Sequence, residues 1–542
     1  MKLIPFFALF FLVLATSAAA QTKPTAPANP PPAAIRAIVL TPDEPRSAQA
    51  SPAAPSGIDA SRVPGLLSGA ALTSLSAHLG QPMTPDTIDL LSTDVRSALQ
   101  ANGHLFWSAH VPPQDVSDGV VRVVVSPAKL DGELHVEGAK WFAEKSYRDA
   151  VPAEAGAAID AAAIQTGVEY LNRNPYRRVA IAAEPGATSG TTKLTLRTQE
   201  ARPWGFTLGY NNTGTVVTDE DRLSAGVTWG NAFGRGDILG YTFTADPALE
   251  HSRSHSANYM TNFRWGHSLT LFGSYSSVES ILPAPLTQAG TSWQLGARYG
   301  IPLRKSAGGW ERSLTASLDF KYSDNNLEFA TIPIVGNVTH VAQAGASFSL
   351  SRQREKDSAA LTVSIFGSPG RITDQNDDAA FDGSRSGASA SYVYGKVEGS
   401  FSRRLPHGFS LAVRGSLQTA DGPLLGVEQL AGSGSVAVRG YRESVAFGDE
   451  GVLGGIELHV PAVRLAKLKG GADFFVFLDA GRLHNLGPQA DYTSLAGAGP
   501  GVNLAFGRAF AASVAYGWQL EKIPHLADQG SGYCHVSASL RF

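Results

Sequence analysis

The 542-residue chain has a single cysteine, few charges and, after its first residues, no long apolar run. One thiol, Cys534, excludes an internal disulfide or a thiolate metal cluster, and it reads as a small buried or lipid-facing residue. Charged residues are 17% of the chain, below the roughly 25% usual in soluble domains. A net charge of −3 gives no reason to expect a nucleic-acid partner. The lack of a later apolar run near the roughly 20 residues that span a bilayer excludes a helical membrane bundle. No phosphate-binding loop, Gly-x-Ser-x-Gly elbow, zinc spacing or catalytic triad is evident, so no catalytic residue, cofactor or metal is expected and the chain does not read as an enzyme.

What is present begins with an address. Lys2, the apolar run Ile4–Leu14 and Ala18-Ala-Ala20 form the positive start, apolar core and small-residue cleavage site of a secretory signal peptide over residues 1–20. Residues 21–64 are rich in Pro and Ala, including Pro30-Pro-Pro32, and read as a semi-extended linker with one short strand at Ile35–Leu40.

Two small α+β units follow. In the first, residues 65–130, Ile88, Leu91, Val95 and Leu99 recur at spacings of three and four after Asp86-Thr87, which predicts an amphipathic helix stopped by Asn102-Gly103. Gly119–Val125 is a β-branched strand. In the second, residues 131–200, the strand Glu133–Glu137 precedes a helix over Ala161–Leu171, and strands at Arg178–Ala182 and Lys193–Arg197 close the unit. The exposed sheet edges of such modules can take an extended guest strand.

From residue 203 to 542 the period changes to two. Leu314, Ala316, Leu318, Phe320 and Tyr322 alternate with Ser313, Thr315, Ser317, Asp319 and Lys321; Phe409, Leu411 and Val413 alternate with Ser410 and Arg414; Val514, Tyr516 and Trp518 alternate with Ser513, Gly517 and Gln519. Repeated in segments of about ten residues, this is the pattern of an all-β transmembrane barrel, apolar outside and polar inside. About 340 residues at roughly 20 per strand and connection gives about 16 antiparallel strands. The chain ends Val536-Ser-Ala-Ser-Leu-Arg-Phe542, with Val536, Ala538, Leu540 and Phe542 on one face. A last strand ending in Phe resembles the signal that the barrel-assembly machinery reads.

One stretch does not fit a strand. Gly432–Gly451 is rich in Gly and Ser and lies within a connection, residues 421–451, that is long for a compact domain. Val438-Arg439-Gly440-Tyr441 stands at its centre; alone, it suits an idle loop as well as a functional one. Downstream, Phe475, Phe477 and Asp479 share a strand face, so either Asp479 sits among aromatics on the outside or the strand turns its aromatics to the lumen. A buried carboxylate needs a cation, and Arg439 is the natural partner for a bidentate pair.

These residues carry a family resemblance. Val438-Arg439-Gly440-Tyr441 with Gly448-Asp449 and Glu457-Leu458, followed by Phe477-x-Asp479-x-Gly481, resembles the lumenal loop and companion strand of two-partner-secretion transporters (TpsB type). Asn172, Asn174, Pro175 and Arg178, with Pro185-Gly186, resemble the second polypeptide-transport-associated (POTRA) domain of that family, and Asn212-x-Gly214 and Gly236-Asp237 its first barrel strands. The resemblance implies two periplasmic POTRA domains before a sixteen-stranded barrel in the outer membrane of a Gram-negative bacterium. It implies that the POTRA pair captures an unfolded partner exoprotein, that the barrel secretes it without nucleotide hydrolysis, and that Arg439 locks on Asp479 in the lumen. The remaining partners would be outer-membrane lipid and, during biogenesis, the assembly machinery. A barrel-assembly factor shares both motifs but usually carries three or more POTRA domains, and a passive porin needs none. The Pro-rich 21–64 offers no clear amphipathic plug helix.

Overall fold

The computed structural model describes residues 33–42 and 56–542, except 66, 105, 189, 284–285, 305, 307, 330–331, 466–468, 525 and 527–529; within 325–336 and at 465 it describes the backbone alone. The expected signal peptide and most of the expected linker lie outside the described residues. Among the described residues no helix is long and apolar enough to cross a membrane.

The N-terminal unit pairs a four-stranded sheet with two helices. Ala37–Thr41 runs parallel to Gly57–Asp59 on one side and to Val120–Pro127 on the other, and Trp107–His110 adds antiparallel at the edge. The helix Pro85–Ala101 starts on a proline, whose missing N–H is an orphan at that position anyway, and the Thr84 hydroxyl caps it by accepting from the Thr87 N–H. Its Leu91, Val95 and Leu99 are fully buried with Ile38, Leu40, Val121 and Val123. The sheet therefore begins before residue 65, which corrects the linker boundary. Ile38 and Leu40 are core residues, and the prolines flanking them obscured a strand that long-range pairing makes central.

The second α+β unit packs Glu144–Ala150 and Ala161–Asn172 on a sheet in which Thr191–Glu200 pairs antiparallel with Arg177–Pro185 and parallel with His135–Glu137. The first of these helices is largely polar and escapes a reading by apolar period. It is anchored by Ala150 and by Tyr147, fully buried, whose hydroxyl donates to Glu200 over 2.5 Å. Burial and then that hydrogen bond push the Tyr147 pKa up to about 12, so it stays a neutral donor.

Among the described residues sixteen antiparallel strands close into a barrel, from Trp204–Asn211 round to Gly532–Arg541, which pair with each other through Asn211↔Ser537 to Thr207↔Arg541. Glu450–His459 and Val463–Leu465 both lie along Gly470–Asn485 and form one strand interrupted at Pro461. Closure leaves no strand edge facing lipid, where an unpaired backbone group costs several kcal/mol. The alternation sorts as expected: Leu295, Leu314, Leu318 and Leu417 are exposed on the outer wall, while Ser317, Asp319 and Gln418 are buried within.

Candidate functional site

Residues 421–449 join Ser410–Ala420 to Glu450–His459, two strands that are hydrogen-bonded neighbours. Neighbouring strands need only a short turn. This connection instead folds back into the lumen, where Val438, Arg439 and Tyr441 are all buried.

The Arg439 guanidinium grips Asp479 in a fork, Nε to Oδ2 at 2.6 Å and Nη2 to Oδ1 at 3.0 Å, and the Arg439 backbone N–H donates to the same carboxylate at 3.2 Å. Its remaining nitrogen, Nη1, lies 2.7 Å from Glu457 Oε1. The planar cation rests 3.7 Å above the Phe477 ring centroid. Arg414 adds a second cation 3.1 Å from Asp479 Oδ1, and its Nη2 donates to the Ala437 carbonyl at 2.7 Å. Two arginines and two carboxylates thus balance, with Arg439 and Asp479 buried and Arg414 and Glu457 partly exposed, and such pairing is the condition for burying charge at tolerable cost.

Of the two orientations open for Phe475–Asp479, the structure has the aromatics facing the lumen: Phe475, Phe477 and Asp479 are buried while Phe474, Val476 and Leu478 face outward. Each inward residue of the Phe477-x-Asp479-x-Gly481 run then has a job. Phe477 underlies the guanidinium, Asp479 binds it, and Gly481 leaves room for Leu453, whose Cδ2 a Cβ there would overlap.

Gly440 has φ +98°, and an added Cβ would sit 3.1 Å from the Gly517 carbonyl. Its N–H donates to His535 Nε2 at 3.3 Å, and its carbonyl accepts from Gln519 at 2.9 Å. The Tyr441 hydroxyl donates to the backbone carbonyls of Ala496, at 3.0 Å, and Glu521. The loop tip is therefore held by side chains and backbone of six strands.

Two more attachments go beyond the motif reading, which names Asp449 without its partners and does not name Glu428. Asp449, fully buried, accepts Arg385 in a second fork (2.5 and 2.7 Å), the backbone N–H groups of Leu424 (2.8 Å) and Leu486 (2.7 Å), and Gln429 (3.2 Å). Arg385 follows the short helix Asp378–Ser384 in the far-end loop 370–390, a Gly-, Ser- and Asp-rich stretch with no signal of its own. Glu428, 3% exposed, receives Lys321 at 2.5 Å, the Tyr394 hydroxyl at 2.6 Å and Gln343 at 3.3 Å. Arg414 and Lys321 lie on the polar faces of their strands, so the alternation could have nominated them, although it names no partner.

The second α+β unit meets the near end of the barrel. Asn172 exchanges two hydrogen bonds with the Val179 backbone, and Asn174 donates to the carbonyls of Gly230 (2.5 Å) and Gly236 (2.8 Å) at the first near-end turn. Pro175 follows directly, where a residue without an N–H is compatible with the turn. Arg178 is exposed, and its neighbour Arg177 takes the buried place, stacked 4.7 Å over Phe142 with Nε donating to Leu171 O at 2.8 Å. On the last strand, Leu540 and Phe542 face outward, and Phe542 trades backbone hydrogen bonds with Phe206.

A family model described as haemolysin secretion/activation protein ShlB/FhaC/HecB matches residues 190–504, and one described as POTRA domain, ShlB-type, matches residues 60–128. The chain is 25% identical over 464 residues to the outer membrane transporter CdiB of Dickeya dadantii (strain 3937), covering 83% of this chain and 79% of that one. It is 25% identical over 403 residues to the hemolysin transporter protein ShlB of Serratia marcescens, covering 71% and 68%. In fold it is similar to CdiB from Escherichia coli, with a TM-score of 0.67 at 18% identity over 96% of this chain and 93% of that one.

Proposed function

The chain belongs to the haemolysin secretion/activation family ShlB/FhaC/HecB, outer-membrane transporters with POTRA domains in the periplasm, and from that membership we propose that it captures an unfolded partner exoprotein on its POTRA sheets and passes it out through the barrel without nucleotide hydrolysis. The observation that carries this reading is the way the lumen is filled. The 421–449 loop crosses the lumen with Val438 and Tyr441 in a small apolar cluster beside Leu453, Leu483 and Leu495, while its tip and outer end are tied by forks of charge that a passing chain can replace. The Arg439–Asp479 pair is the latch, and Val438, Gly440, Tyr441, Phe477 and Gly481 shape its seat. The outer edges of the two small sheets, Trp107–His110 and Arg177–Pro185, each present backbone groups to which an extended chain can add as a strand. Asn174 holds the second POTRA domain to the barrel rim, Asn172 and Pro175 shape the turn that presents it, and Arg178 stands exposed on the strand that offers that edge.

The driving free energy is that of the exoprotein folding outside. The test is translocation into sealed vesicles bearing the purified transporter, with unfolded exoprotein added on the POTRA side. Protease-protected exoprotein should accumulate with no nucleotide present; accumulation only after ATP addition would sink the reading. The outward face Val536, Ala538, Leu540 and Phe542 is the proposed signal to the assembly machinery. Phe542→Ser should lower the amount of heat-modifiable barrel in the outer membrane severalfold, and an unchanged amount would remove that role.

A further inference from the structure

We propose that the second POTRA domain binds the periplasmic leaflet of the membrane through Trp141, with Lys140, Arg235 and Arg264 meeting anionic phospholipid headgroups. Of two adjacent aromatics in the loop after His135–Glu137, Phe142 is buried beneath Arg177 while Trp141 is 49% exposed. That exposure is not slackness. Glu200 Oε2 accepts from the backbone N–H groups of Lys140 (2.8 Å) and Trp141 (2.5 Å), and the Trp141 carbonyl accepts from Asn231 at 3.0 Å. Three hydrogen bonds hold the backbone so that the indole projects from it.

Its position identifies the occupant. Asn231 lies in the chain between Trp229, stacked 5.0 Å from Trp204 on the outer wall, and Phe233, 66% exposed and 5.3 Å from Trp229. The next near-end turn presents Trp265, 64% exposed, beneath Tyr299 of the same wall. Trp141 therefore continues the band of aromatics that marks a barrel's membrane–water boundary, where rings with an apolar body and a polar N–H settle.

The charge around it suits a phosphate surface. Lys140, Arg235 and Arg264 are exposed at the level of these turns. Asp149, the acid nearest Arg264 at 3.9 Å, is already engaged by Lys145 at 2.6 Å. Basic residues beside interfacial aromatics are drawn to anionic lipid. Such a contact would hold the domain against the leaflet as well as against the rim.

The test uses full-length transporter in nanodiscs of phosphatidylethanolamine and phosphatidylglycerol, in a Cys534→Ser background. A nitrobenzoxadiazole label at Trp141→Cys should emit to the blue of the same label at Glu154→Cys, an exposed position in the same domain. Lipids spin-labelled near the headgroup should quench the label at 141 severalfold more than the label at 154. Lys140→Glu with Arg264→Glu should abolish most of that difference. Equal emission and quenching at 141 and 154 would overturn the proposal, and so would a blue-shifted label at 141 that the lipid quencher does not reach, since it would then be covered by protein. Heat-modifiability of each variant reports that the barrel has formed.

Discussion

Asp479→Ala should lower release of the exoprotein into the medium on the order of tenfold or more, because breaking a buried ion pair from one side leaves an uncompensated charge at a cost of about 3–5 kcal/mol. Here the residue removed is fully buried and faces two cations, Arg439 by a fork and Arg414 at 3.1 Å. Without it Glu457 alone must balance both guanidiniums, and only Arg439 reaches it closely, at 2.7 Å. The loop tip is then expected to leave its seat on Phe477. Asp479→Asn retains an acceptor and should fall between the wild type and the alanine variant. Immunoblotting of medium against membrane, with heat-modifiability as the control for barrel formation, reads the effect. Wild-type release from a correctly folded Asp479→Ala barrel would mean that the latch has no part in transport. Exchanging the partners as Arg439→Asp with Asp479→Arg should restore release only in part, since Glu457 would then face an aspartate.

Asp449→Ala should act at the other end of the same loop and with a different readout. Asp449 draws five donor groups onto one carboxylate, from the loop itself (Leu424 and Gln429), the loop carrying Arg385, and Leu486 after the Gly470–Asn485 strand. Removing it leaves buried N–H groups and a guanidinium without their acceptor, at about 1–3 kcal/mol for each unsatisfied group. The tip keeps its own anchor on Asp479, so release should drop less than in Asp479→Ala. The outer end of the loop should fray. Protease added to intact cells should then cut within 421–449, and single-channel conductance in planar bilayers should rise severalfold. A resistant loop with unchanged conductance would show that the Arg385–Asp449 fork does not hold the outer end closed. Arg385→Ala should reproduce both changes if the fork is the working element.

The two centres differ in how far they can be read without coordinates. A strand's period of two settles which residues share a face, so Phe475, Phe477 and Asp479 belong together on the chain's own testimony, and a shared carboxylate calls for a cation. Whether that face looks to lipid or lumen is a property of the closed barrel. The same holds for the first sheet: Ile38 and Leu40 are apolar in sequence, but only pairing with Val120–Pro127, some eighty positions on, takes them out of a proline-rich linker and into a core. Arg177 and Arg178 show the limit at single-residue scale, since alternation says that one is inside and the other outside but leaves the choice to packing.

By itself the sequence determined the two α+β units, the barrel with its polar interior, and the pairing of Arg439 with Asp479, because each rests on local period or on a charge that needs its opposite. The tertiary structure alone decided that Arg414 and Glu457 complete the latch, that Asp449 and Glu428 hold the loop's outer part through Arg385 and Lys321, and that the Trp141 backbone is tied to Asn231 at the first near-end turn. Those contacts join residues up to about a hundred positions apart through a loop without periodicity, and only the closing of the barrel brings them within hydrogen-bond reach.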